Sequence, residues 1–155
     1  NGALTIGTLD GANVEIREAV GAENFFVFGL TEQEVVHRKS QGYRPSEELA
    51  RDAELREVIE MIAGGAFSSG DRGAFEPIVR SLVDHDEYLL FADYRSYVDC
   101  QQRASDAYAD EDRWTRVSIL NVARMGRFSS DRAIREYCQD IWKVESALVL
   151  PRMEN

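Results

Sequence analysis

The two clearest strand-like stretches of this sequence lie close together near its N-terminus. Residues 3–8 and 24–29 are short apolar runs, and residues 14–20 between them have the pattern of a short helix that Gly21 ends as a C-cap. Two buried strands joined by one helix form a βαβ unit, so we expect the strands to be parallel with a right-handed crossover. The pattern after residue 30 is mainly helical.

This arrangement is incomplete for an α/β domain. A sheet of two strands is marginally stable, and a closed α/β domain alternates strands and helices throughout its length. The 155 residues suffice for one domain with a core. The sequence therefore predicts an α/β fold, a short βαβ unit followed by several helices and mostly helical, whose sheet is completed by further chain. The first residue, Asn1, is not a methionine, which agrees with the expectation of a longer protein.

Capping residues and apolar periodicity predict where the middle helices begin. Thr31 and Glu34 form a capping box, and Ser46 is the predicted cap of the next helix. Pro77 fits only the first turn of a helix, which places the start of its helix close to Glu76. The apolar faces of two helices consist of Leu55, Val58, Ile59 and Ile62, and of Phe75, Ile78, Val79, Leu82 and Val83.

The last third of the chain carries three more helical patterns. Residues 88–91 are predicted to be extended, and the helix after them is marked by Tyr97, Gln101, Ala104 and Tyr108. Another helix follows around Trp114. A final helix over residues 131–142, preceded by two serines, carries an apolar stripe of Ile134, Tyr137, Cys138, Ile141 and Trp142. We interpret Trp114 and Trp142 as core or docking residues.

Charge and cysteine content exclude several classes of protein. The net charge of -10 argues against a nucleic-acid partner, because phosphates are met by clustered Lys and Arg. No apolar run is long enough to span a bilayer, so no membrane partner is expected. Cys100 and Cys138 are far apart in sequence, which favours two reduced thiols in a cytoplasmic protein. No pair of Cys or His residues has the spacing of metal ligands.

The glycine-containing turn from Gly7 to Gly11 is the first candidate site, because it joins a strand to a helix. A dinucleotide fingerprint needs its second glycine earlier, and a P-loop needs a lysine, whereas no lysine precedes Lys39. Two interpretations therefore stay open. The turn either contributes to a phosphate cradle or is a tight turn in which Asp10 or Asn13 caps the helix.

Histidine and carboxylate residues give a second candidate at Asp84, His85 and Asp86. A histidine between two carboxylates could bind a metal or act as a base, but neighbours in sequence rarely point to one spot. We expect His85 to complement a helix dipole and His37 to be structural. The sequence contains no G-x-S-x-G motif and no Cys–His pair in a plausible context, so it indicates no nucleophile.

Several longer stretches are similar to glycogen and α-glucan phosphorylases. The stretch NGALTIGTLDGANVEI (residues 1–16) resembles a signature run of that family, and so does ENFFVFG (23–29). Three shorter stretches resemble the family in the same order: FADY (91–94), WTR (114–116) and RFSSDR (127–132). The resemblance extends from Asn1 to about Val144.

The resemblance implies both a fold and a reaction. Phosphorylases have two Rossmann-like lobes in the GT-B arrangement, act as homodimers and use inorganic phosphate to release glucose 1-phosphate from the ends of α-1,4-glucans. Their pyridoxal phosphate is bound to a lysine, and its phosphate group takes part in proton transfer. By this resemblance, residues 1–144 would form the C-terminal portion of the cofactor-bearing lobe. Residues 145–155 would be a flexible tail, and residues 131–142 a docking helix.

The same resemblance places the reactive groups outside this sequence. The family's cofactor lysine lies in a Ser-Gly-Thr-Gly-Asn-Met-Lys motif just ahead of the stretch that begins here at Asn1, and that motif is absent. We therefore assign no catalytic, cofactor-binding or metal-binding residue to this chain, and we expect it to be inactive and free of pyridoxal phosphate by itself. The turn from Gly7 to Gly11 would then support the cofactor helix from behind.

Two other functions are compatible with the sequence. One is a free-standing, non-catalytic binding or regulatory module derived from such a lobe. The other is a related GT-B glycosyltransferase that uses a nucleotide sugar, which the phosphorylase-like stretches disfavour.

Overall fold

The computed structural model describes residues 2–145, and its architecture is one small parallel β-ribbon followed by helices. The strands are β1 (Ile6–Gly7) and β2 (Phe26–Val27). The helices are α1 (Ala12–Val20), α2 (Glu32–Ser40), α3 (Pro45–Arg51), α4 (Ala53–Ala63), α5 (Glu76–Asp84), α6 (Leu90–Ala109), α7 (Glu111–Arg124) and α8 (Ser130–Glu136). Short 3₁₀ turns span Ala22–Asn24 and Met125–Phe128, and α8 continues into a π-helical turn, Tyr137–Trp142. Asn1 and the predicted tail from residue 146 onward lie outside the described residues.

The predicted βαβ unit is confirmed. β1 and β2 pair in parallel, with Ile6 opposite Phe26 and Gly7 opposite Val27. Gly21 is the C-cap of α1, and its φ of 97° lies in the region that favours glycine. The mostly helical α/β character inferred from the sequence is therefore correct.

Two of the predicted helix starts are correct, and the predicted cap at Ser46 is wrong. The capping box at Thr31 is present, and α5 begins at Glu76. Ser46 is not a cap, because Pro45 already occupies the first turn of α3 and Arg44 is the N-cap residue. The N-cap of α4 is Asp52, whose carboxylate accepts hydrogen bonds from the backbone N–H groups of Glu54 and Leu55 at 3.0 and 3.1 Å.

The predicted extended stretch at residues 88–91 is wrong. Leu90 and Phe91 are the first residues of α6, and Leu89 before them is fully buried with a left-handed φ of 57°. The N–H of Leu89 donates to the carbonyl oxygen of Asp86 at 2.9 Å, which closes a turn directly before α6. The apolar residues after this turn are therefore helical. Phe91 joins the core cluster of Leu55 and Ile59, against which Leu49, Val79, Leu82, Val83 and Tyr94 pack.

Helix α6, with 20 residues, contacts α3, α7 and β2. The helix that the sequence marked by Tyr97, Gln101, Ala104 and Tyr108 is therefore present. Tyr97 and Tyr108 are exposed, whereas Ala104 is buried. Small side chains line the buried face further along the helix, at Cys100, Ala104 and Ala107. Cys138, in the π-helical turn, is half-buried.

Each of the two tryptophans packs against a tyrosine. Trp114 packs edge-on against Tyr108 with ring centroids 5.1 Å apart, and Trp142 packs against Tyr137 at 5.7 Å. In the described part of the chain, no helix is both long enough and apolar enough to cross a membrane.

Candidate functional site

The turn after β1 is held closed by one side chain. Asn13 donates a hydrogen bond from Nδ2 to the backbone oxygen of Thr8 at 2.9 Å. A Cβ at Gly7 would lie 2.6 Å from that same Nδ2, so the close approach requires glycine. The N-cap of α1 is Gly11, and no side chain caps it. The expectation that Asp10 or Asn13 caps this helix is therefore wrong, because Asn13 is used to bind the end of the strand.

The backbone of this turn offers little to a phosphate. The N–H groups of Asn13 and Val14 donate to the carbonyl oxygens of Asp10 and Gly11 at 3.1 and 3.3 Å, so two amides of the first turn are already satisfied. The exposed carboxylate of Asp10 adds negative charge at the same place. An anion-binding turn needs free amides and a positive local field. Of the two interpretations left open by the sequence, the geometry favours the tight turn.

The loop after β2 is bound by two side chains of α6. Ser96 Oγ accepts a hydrogen bond from the N–H of Gly29 at 2.9 Å, and Asp93 Oδ1 accepts one from the N–H of Leu30 at 2.8 Å. Asp93 is 8% exposed. Burial raises the pKa of its carboxyl above the ordinary value, while the hydrogen bond from Leu30 opposes that shift.

The ends of both strands meet around Asp93. Gly29 has a φ of +81°, and a Cβ there would lie 2.6 Å from Asp93 Oδ2 and 3.0 Å from Thr8 Cγ2. In parallel sheets the carboxyl ends of the strands form the edge where ligands bind. The side chains that this chain places there, Asn13, Asp93 and Ser96, hold backbone loops in position.

Sequence reasoning missed Asp93 as a positioning residue. The signal that could have found it is its spacing, because Asp93 precedes Cys100 by two helical turns and shares a buried face with Leu89 and Ala104. A carboxylate on an apolar stripe needs a hydrogen-bond donor. Asp93 is the third residue of the stretch FADY (91–94).

The Asp84–His85–Asp86 triplet does not form a site. Asp84 and His85 are exposed, and His85 is the C-cap residue of α5, at the helix end where it was expected. Asp86 turns inward, with 2% exposure. Between residues 2 and 145, no three His, Cys, Asp or Glu side chains lie together as metal ligands would.

Asp86 instead organises the start of α6. Its carboxylate accepts hydrogen bonds from the N–H groups of Leu90 and Phe91 at 2.8 and 2.9 Å, and from the hydroxyl of Tyr43 at 2.6 Å. Burial, together with the neighbouring Asp86 carboxylate, raises the pKa of the Tyr43 hydroxyl. This cluster connects the loop before α3 to the N-terminus of α6.

His37 lies on the exposed surface of α2, beside a groove between α2 and α3. The groove has a volume of about 260 Å³. We call it the arginine–glutamate groove, after the residues that line most of it: Arg38, Tyr43, Arg44, Glu47, Glu48 and Arg51.

Pyridoxal phosphate forms its imine with a lysine amine, so the positions of the lysines test whether this chain can hold the group. The sequence has two lysines, Lys39 and Lys143. Lys39 lies on α2 and pairs with Glu87 at 3.0 Å, and Lys143 ends the π-helical turn. Neither lies in the turn that directly follows β1 or β2. The lysine positions of this chain therefore give no support for an imine at the carboxyl edge of β1 and β2.

Comparison with known proteins agrees with the sequence motifs. The family model for carbohydrate phosphorylases matches residues 1–144. Over 149 residues, the chain is 56% identical to the glycogen phosphorylase of Synechocystis sp., covering 96% of this chain and 18% of that protein. Over 145 residues it is 48% identical to the muscle form of glycogen phosphorylase from Oryctolagus cuniculus, covering 94% of this chain and 17% of that enzyme. Against the glycogen phosphorylase of Haemophilus influenzae, the identity is 48%, with 94% and 18% covered.

The chain belongs to the carbohydrate phosphorylase family. It spans 17–18% of the length of these relatives and corresponds to a C-terminal segment of a phosphorylase. The resemblance drawn from the motifs is thereby confirmed.

Proposed function

We propose that this chain is the C-terminal portion of the cofactor-bearing GT-B lobe of an α-glucan phosphorylase. The complete enzyme would cleave terminal α-1,4-glucosidic bonds with inorganic phosphate and release glucose 1-phosphate. The observation that carries the proposal is the family match over residues 1–144, together with relatives named glycogen phosphorylase at 48–56% identity. The parallel pairing of β1 with β2 suits one part of a larger Rossmann-like sheet.

The role we assign to this chain is structural support at the edge of the active site. Asn13 closes the turn after β1, and Asp93 and Ser96 hold the loop after β2. Catalytic geometry must be held to a fraction of an ångström by such supporting contacts. These residues keep the carboxyl edge of the sheet in one conformation and touch no reacting atom.

The reactive groups are proposed to lie in the rest of the enzyme. Pyridoxal phosphate, bound to a lysine upstream of Asn1, would supply the phosphate group that moves a proton. No residue of this chain is assigned to catalysis, to the cofactor or to a metal.

The proposed partners follow from the same assignment. The remainder of the phosphorylase chain would cover the apolar stripe of Ile134, Tyr137 and Ile141, and the complete enzyme would be a homodimer acting on α-glucan and phosphate. Its place would be the cytoplasm, where the thiols of Cys100 and Cys138 stay reduced.

The reading frame that encodes this segment provides the first test. We expect it to continue upstream through Gly-Asn-Met-Lys, and we expect its full-length product to release glucose 1-phosphate from glycogen and phosphate. The isolated 155-residue chain should release none and should show no reducible imine. A methionine codon directly before Asn1, or phosphorolysis by the isolated chain, would contradict the proposal; the former would favour a free-standing binding module.

A further inference from the structure

Asp93 is a buried carboxylate whose charged neighbours are themselves acidic. It is 8% exposed, and its surroundings are the turn before α6, helix α2, the end of β1 and the loop after β2. The charged groups that face it from these elements are Asp86, in the turn, and Glu34, on α2. The end of β1 and the loop contribute only the uncharged Thr8 and Gly29. The negative charge of Asp93 is therefore repelled from two sides.

Hydrogen bonds compensate this charge only in part. Among residues 2–145, Oδ1 of Asp93 accepts the N–H of Leu30 at 2.8 Å, and Oδ2 accepts no hydrogen bond. Oδ2 lies against Gly29, where a Cβ would be 2.6 Å away. The buried carboxylate of Asp86 accepts three hydrogen bonds by comparison. A buried charge with a single donor is costly, so the closed arrangement suits a neutral carboxyl at Asp93 better than an ionised one.

The loop that Asp93 holds is short and is fixed at both ends. On one side, the N–H of Phe28 donates to a carbonyl oxygen of β1 at 3.2 Å. On the other side, Thr31 forms the capping box of α2. Gly29 and Leu30 lie between these two points, and Gly29 has no side chain that would hold it in place by packing. The contact between Leu30 and Asp93 therefore decides whether this part of the loop stays closed.

We propose that Asp93 is a proton-controlled latch, which holds the loop after β2 closed while its carboxyl is protonated and releases the loop when the carboxyl is ionised. A protonated carboxyl still accepts the N–H of Leu30 through its carbonyl oxygen. An ionised carboxylate is stabilised by water, which it reaches when the loop opens. Because the loop lies at the carboxyl edge of β1 and β2, one proton controls the shape of the edge where ligands bind to parallel sheets.

The direction of the pH response follows from these surroundings. Burial, and then the charges of Asp86 and Glu34, raise the pKa of Asp93 in the closed loop above 3.8, while the N–H of Leu30 opposes the shift. In the open loop the carboxyl is hydrated and titrates close to its ordinary value. Closure is therefore strongest below 3.8, and it weakens as the pH rises through the pKa of the closed state.

The test is hydrogen exchange at the backbone N–H of Leu30 in the full-length enzyme, corrected for the intrinsic dependence of exchange on pH. We expect protection of this N–H to fall at least about threefold between about pH 4 and about pH 7. Asp93→Asn keeps an acceptor oxygen but does not ionise, so its protection should stay constant over this range. The matched control is Asp52→Asn, which removes a carboxylate that caps α4 and should leave the response of the loop as in wild type.

A second variant, Glu34→Gln, tests the repulsion itself, since Gln also serves at this position of a capping box. At low ionic strength, we expect the midpoint of the protection change to move to lower pH than in wild type. A midpoint at or above that of wild type would contradict the repulsion. Constant protection in wild type, or a response that persists in Asp93→Asn, would overturn the latch. Exchange is measured without turnover, so failure to release glucose 1-phosphate would contradict only the proposed function.

Discussion

The carboxylate of Asp93 accepts a hydrogen bond from the backbone N–H of Leu30 at 2.8 Å, across 63 positions of sequence. Ser96, one helical turn later, accepts the neighbouring N–H of Gly29 at 2.9 Å. Helix α6 and the loop after β2 therefore position each other. Because that loop lies at the carboxyl edge of the parallel strands, its conformation depends on a helix that follows it by some sixty residues.

Two substitutions of Asp93 should distinguish the role of its acceptor oxygen from the role of its charge. Asp93→Ala removes the acceptor of the half-buried N–H of Leu30, and we expect it to lower the free energy of unfolding by about 1–3 kcal/mol. Asp93→Asn keeps an acceptor oxygen in place and should cost less. Urea unfolding of the two variants measures the difference. Equal destabilisation by both would show that the charge of the carboxylate, rather than its oxygen, holds Leu30.

The same carboxyl gives a predicted pH dependence. Burial raises the pKa of Asp93 above the ordinary value of 3.8, so the folded chain holds its proton at pH values where the unfolded chain has lost it. Stability relative to Asp93→Asn should therefore fall as pH rises from 3.8 through the native pKa, and then level off. Unfolding midpoints of the two proteins, measured across this range, test the sign. A difference that grows in favour of wild type with rising pH would contradict it.

The pKa of the Asp52 carboxyl is shifted in the opposite direction from that of Asp93, so the predicted pH dependence of stability is also opposite. Its hydrogen bonds from Arg95, at 2.7 and 2.9 Å to the nearer guanidinium nitrogen, and from the N–H of Leu55 lower the pKa of its carboxyl. The stability that the charged form contributes is present above 3.8 and is lost as pH falls through the native pKa. The advantage of wild type over Asp52→Asn should accordingly shrink in acid.

Gly29 and Gly42 form a matched pair for a steric prediction. Both have a left-handed φ, +81° and +79°, so alanine costs about 1–2 kcal/mol of backbone strain at either position. Only at Gly29 would the new Cβ also meet Asp93 and Thr8, at 2.6 and 3.0 Å. We expect Gly29→Ala to be clearly more destabilising than Gly42→Ala in thermal unfolding. Similar melting temperatures of the two variants would mean that the loop after β2 shifts to accommodate the new Cβ at little cost in stability.

Local sequence patterns predicted the elements whose causes are local. The βαβ unit, the capping box at Thr31 and the start of α5 at Pro77 each depend on a few neighbouring residues, and each was correct. The stretch from Tyr88 to Phe91 failed because its conformation is set by Asp86 and by the distant Tyr43. An apolar run alone does not distinguish a strand from the first turn of a buried helix.

The sequence patterns did not predict the supporting contacts of the site, because these contacts also join residues that are distant in the chain. Asp93 and Leu30, like Tyr43 and Asp86, are far apart in the chain and belong to different elements. The acidic composition supplies many carboxylates, and among residues 2–145 packing buries those of Asp93 and Asp86, at 8% and 2% exposure. The family motifs identified the class of protein, but they did not predict which residues of this chain contact each other.

The hydroxyl of Tyr43 should contribute to stability through its hydrogen bond to Asp86. Tyr43→Phe removes one of three donors to the buried Asp86 carboxylate, and we expect a loss of about 1–3 kcal/mol. Tyr94→Phe is the control, since its hydroxyl donates to the exposed Glu54 at 3.2 Å, and it should change stability little. Chemical denaturation of both variants tests this order. A neutral Tyr43→Phe would show that the N–H groups of Leu90 and Phe91 satisfy Asp86 without help.

The apolar stripe of α8 and the π-helical turn should make the isolated chain self-associate. Ile134, Tyr137 and Ile141 are 52%, 48% and 64% exposed along one face. Exposure of this apolar surface to water is unfavourable, and burying it between two chains would be favourable. Replacing Ile134 and Ile141 with Gln should shift the mass measured by light scattering toward that of the monomer. Val36→Gln is the control, because Val36 is 63% exposed but isolated on the polar helix α2. A wild-type chain that stays monomeric at high concentration would show that the stripe is tolerated in water, and the proposed contact with the rest of the enzyme would lose its physical reason.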